Sequence, residues 1–245
     1  MLIQILQSNF SPVQKAFCLV FLPLIVLFSL GMHEYGHALI STLQGDPTPK
    51  RSGRLTLNPL KHLHPIGTVF MLLCGFGWAV PVPVNPRYYK DPKKGMAITG
   101  AAGPLMNVII GVYALVTLSQ MVWFRETGLL MYLPIVSKIP TDIYTAICDV
   151  LYITFYCNIM LAVFNLLPIP PLDGSRVLYA VLPTKQYFKV MRYERVIMIL
   201  LLLLLWTGAF TGGFEVVADN ILKIVSTAVF KVLGAITELV LKFIS

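Results

Sequence analysis

Long apolar runs alternate with short polar loops along this chain, and the loops hold most of its charge. Ala16 to about Thr42 is one uninterrupted apolar run, long enough to cross a hydrocarbon core of about 30 Å as a helix, with Pro23 as a potential kink. The polar segment Gln44 to His64 follows, in which Gly53-Arg54-Leu55-Thr56-Leu57 alternates like a short strand before Asn58-Pro59 stops it. Pro65 to Gly75 is apolar again, but at about ten residues it is too short to span, and Gly75, Gly77, Pro81, Pro83 and Pro86 break what comes next. This pattern predicts a re-entrant or interfacial hairpin that walls a cleft, because non-helical backbone at membrane depth must be buried in protein or line a wet cavity.

Met96 to about Phe124 is the second full span, entered through Gly100, Ala101, Ala102 and Gly103-Pro104, whose small side chains let another helix approach closely. Ala146 to Leu167 is the third, closed by Pro168-Ile169-Pro170-Pro171 and Leu172-Asp173-Gly174, and Val196 to about Phe214 predicts a fourth. In the tail, Lys223, Lys231, Glu238 and Lys242 share a narrow stripe at helical spacing, which suits either a helix lying in the interface or a fifth span over 220–245. The expected fold is an all-α integral membrane protein, a polytopic helix bundle with a short strand or re-entrant hairpin between the first two spans. A single membrane-embedded domain over 1–245, with its core at about 16–211, accounts for the whole chain.

Composition agrees with that pattern. Of 245 residues 57% are hydrophobic and only 12% charged, against about 45–50% and 25% in soluble domains. The net charge of +8 raises nucleic acid as a partner, but no nucleic-acid motif is present and the basic residues cluster in the short loops. Lys50, Arg51, Arg54 and Lys61 follow the first span, Arg87, Lys90, Lys93 and Lys94 precede the second, and Arg176, Lys185, Lys189, Arg192 and Arg195 follow the third. The loop from Arg125 to about Tyr144 is balanced by Glu126 and Asp142, so the basic loops mark the cytoplasmic side of a multi-pass cell-membrane protein. Cys18, Cys74, Cys148 and Cys157 form no paired motif and read as small buried hydrophobes, and the amino terminus does not resemble a cleaved signal peptide.

The candidate chemistry sits in the last third of the first span, at His33-Glu34-Tyr35-Gly36-His37. Residues four apart share a helical face, so His33 and His37 can offer ring nitrogens to one zinc ion with Glu34 beside them to activate water. The plainer reading is a hydrogen-bonded histidine pair, which a membrane segment disfavours because buried polar groups there are costly. Such a zinc site needs a third protein ligand and an open position. If spans one and three both run inward, Asp173 arrives at the depth of the histidines, whereas Asp46, Asp91 and Glu194 fall in loops expected to be solvated. An Asp-Gly surface turn is the competing account of Asp173, and His62 and His64 are rival ligands. Asn107 and Asn165, near the cytoplasmic ends of spans two and three, are candidate contacts for a substrate backbone or a developing oxyanion, or else helix-to-helix hydrogen bonds. The reaction class is peptide hydrolysis, and a membrane helix must be locally unwound before attack, with the Gly53–Leu57 strand or the hairpin holding it by strand addition.

Three segments together resemble the signatures of the site-2 proteases: His33 to His37, Gly103-Pro104-Leu105-Met106-Asn107, and Asn165-Leu166-Leu167-Pro168-Ile169-Pro170-Pro171-Leu172-Asp173-Gly174. Leu57-Asn58-Pro59-Leu60-Lys61-His62, with Gly77-Trp78-Ala79-Val80-Pro81-Val82-Pro83-Val84-Asn85, is similar to a compact bacterial branch of that family. The resemblance covers about residues 25–185. It implies an intramembrane zinc metalloprotease that binds one zinc per chain and cuts membrane-bound regulatory proteins or signal-peptide remnants. It gives His33, His37 and Asp173 the ligand roles, Glu34 the catalytic one, and Asn165 that of a substrate-contacting amide. Val80 and His64 depart from the branch, which usually has lysine and aspartate there, and neither a PDZ nor a CBS domain fits in this length. The competing function is a membrane metal-transit protein using the same His/His/Asp site, which would not need Glu34. The sequence leaves oligomeric state open.

Overall fold

The computed structural model describes residues 7, 9–74, 79–126, 138–207 and 211–244. The expected breaks at Gly75 and Gly77 and most of the loop between spans two and three lie outside those residues. Among the described residues the α-helices are α1 (Pro12–Leu43), α2 (Thr48–Arg51), α3 (Pro65–Cys74), α4 (Pro92–Glu126), α5 (Thr141–Leu166), α6 (Asp173–Tyr179), α7 (Thr184–Met191), α8 (Glu194–Trp206) and α9 (Thr211–Ile244).

The start of α1 is written in its sequence. Ser11 caps it, its Oγ accepting from the Gln14 amide while the Gln14 side chain accepts from the Ser11 amide, and Pro12 fills the first position where no N–H is needed. Gln14 also donates to Asp149 of α5 at 2.7 Å, tying the start of α1 to that helix. Below that contact Cys18, Leu22, Val26 and Leu30, four residues apart, form a buried stripe against Ile153, Cys157 and Leu161 of α5. The outward side of α1 is equally apolar, with Val20, Leu24 and Phe28 half or more exposed, so the helix is hydrophobic all round, as a membrane span is. A second cluster, Ala114, Leu115, Phe155 and Ile159, joins α4 to α5, and Ile221, Leu222, Val225 and Val229 of α9 pack on it.

Among the described residues α1, α4 and α5 are long and apolar enough to cross a membrane, and the chain is a membrane protein with the expected helical architecture. Two expectations need correction. The run from Val196 to Phe214 is not one helix, since α8 stops at Trp206 and α9 begins at Thr211, continuing unbroken through the tail to Ile244. Gly53–Leu57 is not a strand. Gly53 turns at a φ of +69°, the Arg54 amide bonds back to Pro49 O, and the Thr56 carbonyl accepts from His62, so local contacts use the groups a partner strand would need.

The first arm expected of the hairpin is the helix α3, and the residues where it would turn lie outside those described. Leu63 and Ala79 pair antiparallel and the Val80 amide donates to His62 O at 2.8 Å, so the excursion through α3 leaves and returns at the same place. A non-helical run, residues 79–85, then passes beside α1 before the turn at Pro86–Tyr88 leads into α4.

Candidate metal centre

α1 places His33 and His37 on one face, one turn apart, and α4 crosses that face where it has no side chain. A Cβ on Gly103 would lie 2.7 Å from His33 Nε2 and closer still to His37 Nε2. A Cβ on Gly36 would lie 2.8 Å from Ala102 O, so both helices need glycine at their crossing. Asp173 arrives from the other direction. After α5 the Pro168–Leu172 segment, with a cis Pro170–Pro171 bond, redirects the chain so that α6 opens on Asp173 with its carboxylate facing the two rings.

The three side chains converge. His33 Nε2 is 2.9 Å and His37 Nε2 3.1 Å from Asp173 Oδ2, and the two nitrogens are 3.2 Å apart. All three residues are buried. A tetrahedral zinc with bonds of about 2.05 Å sets its ligand atoms about 3.3 Å apart, so this triangle is within a few tenths of an ångström of one face of that tetrahedron. Both rings are held from behind: His33 Nδ1 donates to Asn107 Oδ1 at 2.6 Å and His37 Nδ1 to the Thr99 carbonyl at 2.7 Å. With the protons on Nδ1, both Nε2 lone pairs face the Asp173 oxygen, a donor set that asks for a cation at its centre. The second Asp173 oxygen lies 3.8 Å from Arg176 Nη1.

The amide orientations behind His33 are fixed by their neighbours. Asn107 Nδ2 donates to Ser29 O and to Asn158 Oδ1, which leaves its oxygen for His33, and Asn158 Nδ2 donates to Ser29 Oγ and Thr154 O. Asn107 is fully buried with both ends of its amide in use, so it supports His33 and has no polar atom free for a substrate. Asn165 is half-buried at the end of α5 and donates to Leu161 O at 2.9 Å, outside the His–Asp cluster. Neither rival ligand joins it: His62 Nε2 donates to Thr56 O, and His64 Nδ1 accepts from Gly67 N at the start of α3. Glu34, 9% exposed, lies beside the pair and accepts the Val82 amide on Oε2 at 3.0 Å.

A buried polar chain reaches the site from the end of α1. Asp46, expected in a solvated loop, is completely buried: it accepts from Ser41 Oγ, from the Thr48 amide and from the Asn85 amide at 2.7–2.9 Å. Burial alone would raise its pKa, but these hydrogen bonds to the ionised form outweigh it and hold the carboxyl below its usual range. Ser41 Oγ bonds the Tyr89 hydroxyl, which bonds Thr99 Oγ1, and the Thr99 carbonyl holds His37. Asn158, Ser29, Thr99 and Asp46 were given no part in the site on sequence grounds. For Asn158 and Ser29 the available signal was polarity inside an apolar span.

Comparison with known sequences agrees with this geometry. The profile of peptidase family M50 matches residues 21–207, a stretch that contains every residue of the cluster. The chain belongs to peptidase family M50. This is the site-2 protease family, and the chain is a metalloprotease of compact size. YwhC of Bacillus subtilis, named as a zinc metalloprotease, is 36% identical over 222 residues, covering 86% of this chain and 93% of its own. MJ0392 of Methanocaldococcus jannaschii, also named a zinc metalloprotease, is 31% identical over 162 residues, 66% of this chain and 34% of its own. Rip2 of Mycolicibacterium smegmatis, of similar name, is 28% identical over 153 residues, 60% of this chain and 52% of its own. No solved structure matches the chain significantly.

Proposed function

We propose that this M50 peptidase hydrolyses peptide bonds in or near transmembrane segments of membrane-bound substrates, with His33, His37 and Asp173 holding zinc and Glu34 as general base. The observation that carries the reading is the buried triangle of two Nε2 lone pairs and a carboxylate oxygen, with a second carboxylate directly beside it. Zinc bound there supplies a Lewis acid that acidifies water and polarises a carbonyl. Glu34 then takes the proton of the attacking water on its free oxygen and passes it to the leaving amine, while Asn107 and the Thr99 carbonyl hold the imidazoles in the tautomer that keeps Nε2 open.

An extended substrate segment has a place beside Glu34, along residues 79–85. Pro81 and Pro83 have no N–H, and the Val82 amide is already given to Glu34, so this run offers a substrate chiefly carbonyl acceptors. Asn165, half-buried beyond the cluster, is the side chain proposed to meet the substrate backbone. The basic loops support a catalytic end at the cytoplasmic face, and membrane-protein segments or signal-peptide remnants are the proposed substrates.

The test is Glu34→Gln, which keeps size and hydrogen-bonding but not basicity. The variant is expected to retain zinc and lose cleavage of a transmembrane substrate by roughly 100- to 10,000-fold, as removal of a general base does. Undiminished cleavage by the zinc-loaded variant rejects the mechanism, and zinc flux through proteoliposomes that survives the substitution supports metal transit instead.

A further inference from the structure

The run 79–85 is fastened at three backbone amides: Val80 N to His62 O, Val82 N to Glu34 Oε2 and Asn85 N to Asp46 Oδ2. Between the two prolines Val82 has the one N–H available, and it goes to the carboxylate beside the metal ligands. Val82 itself is buried, 6% exposed, so water does not readily substitute for that bond. Three residues on, the amide of Asn85 goes to a second carboxylate that lies three turns beyond Glu34, just past the end of the same helix. Asp46 is in turn locked to α1 through Ser41 Oγ and the Ser41 carbonyl, which accepts the Asp46 amide at 3.2 Å. The strap therefore spans two carboxylates attached to α1, and its placement at Asp46 sets where the Val82 amide meets Glu34.

We infer that Asp46 is a positioning residue for Glu34, acting through the strap 79–85 and the Val82 amide, which holds one carboxylate oxygen so that the other faces the attacking water. The inference rests on the reading of Glu34 as general base for its kinetic consequence, but not for its structural one. A carboxylate free to rotate about its χ angles spends most of its time out of reach of the water, whereas one pinned by a buried donor does not. Loss of the pin lowers turnover without weakening zinc binding. Asp46 also supports Thr99 through Ser41 and Tyr89, so an effect transmitted by that branch reaches His37, and with it the metal, instead of Glu34.

Two readouts separate these routes, both on the full-length chain. In 15N-valine-labelled protein, hydrogen exchange at the Val82 amide is expected to be slow in the wild type and in Glu34→Gln, whose amide oxygen still accepts. It is expected to become fast in Glu34→Leu and in Asp46→Ala, with the Val80 amide still protected in Glu34→Leu. In turnover, Asp46→Ala and Val82→Pro are both expected to lose roughly 10- to 100-fold in kcat, with zinc content near wild type, as losses of supporting hydrogen bonds do. Val82→Ala, which keeps the amide, stays far above Val82→Pro. Unchanged Val82 protection in Asp46→Ala, or a loss in Asp46→Ala explained wholly by missing zinc, overturns the inference. If Asp46→Ala does not fold, Val82→Pro decides: wild-type kcat in that variant overturns it. A wild-type chain that cleaves no substrate overturns the proposed function, and the exchange pattern then decides this inference alone.

Discussion

At the scale of single residues, the site depends on groups that never touch the metal. Asn107 accepts from His33 Nδ1 and is itself oriented by Ser29 and Asn158. Asn107→Leu keeps the branched outline and removes the acceptor, and zinc affinity is expected to fall by roughly 10- to 100-fold, measured by competition with a chromogenic chelator. Unaltered affinity shows that the ring needs no partner there. Asp46 gives a pH signature. Its folded pKa lies below the unfolded value of about 3.9, so its contribution to stability is complete above that pH and declines as pH falls through the folded value. Wild type is expected to melt above Asp46→Asn at neutral pH, with the gap closing as the solution is acidified below about 4; a gap independent of pH contradicts the assignment. The pairing of His33 with His37 was legible because residues four apart share a helical face. Asp46 was not, because nothing in an acid next to Gly45 and Pro47 announces that the loop folds back over the end of α1. Of the two roles expected of Asn107 the structure shows the helix-to-helix hydrogen bonds, because which way an amide points is settled by what the neighbouring helices offer.

At the scale of elements, the three long spans were legible because length and unbroken apolarity are enough to specify them, within a few residues at each end. The break between α8 and α9 was missed because the run 196–214 is apolar on both sides of it, although it contains the turn signal Thr207-Gly208. The false strand at Gly53–Leu57 arose from alternation alone, which marks a strand only when a partner edge exists. The crossing of α1 and α4 is the element on which the site depends most. Gly103→Ala puts a methyl group against both Nε2 atoms, and the expected outcome is loss of zinc with helical content by circular dichroism unchanged. Full zinc occupancy in that variant contradicts the close approach described here.

At the scale of the molecule, the described helices are apolar on their outer faces and bring His33, His37 and Asp173 together where α1, α4 and the start of α6 meet. Residues 140 positions apart in sequence meet there, His33 with Asp173 at 2.9 Å, and the rest of the fold exists in large part to hold that contact. The motif in α1 announced two members of the cluster, while the third required the fold to bring it back. X-ray absorption at the zinc edge tests that claim most directly, comparing the wild type with Asp173→Ala. The account predicts two imidazoles and oxygen at about 2.0–2.2 Å in the wild type, with zinc lost or its oxygen shell altered in the variant. An identical spectrum and full occupancy in Asp173→Ala, or a sulfur ligand in the wild type, contradicts it.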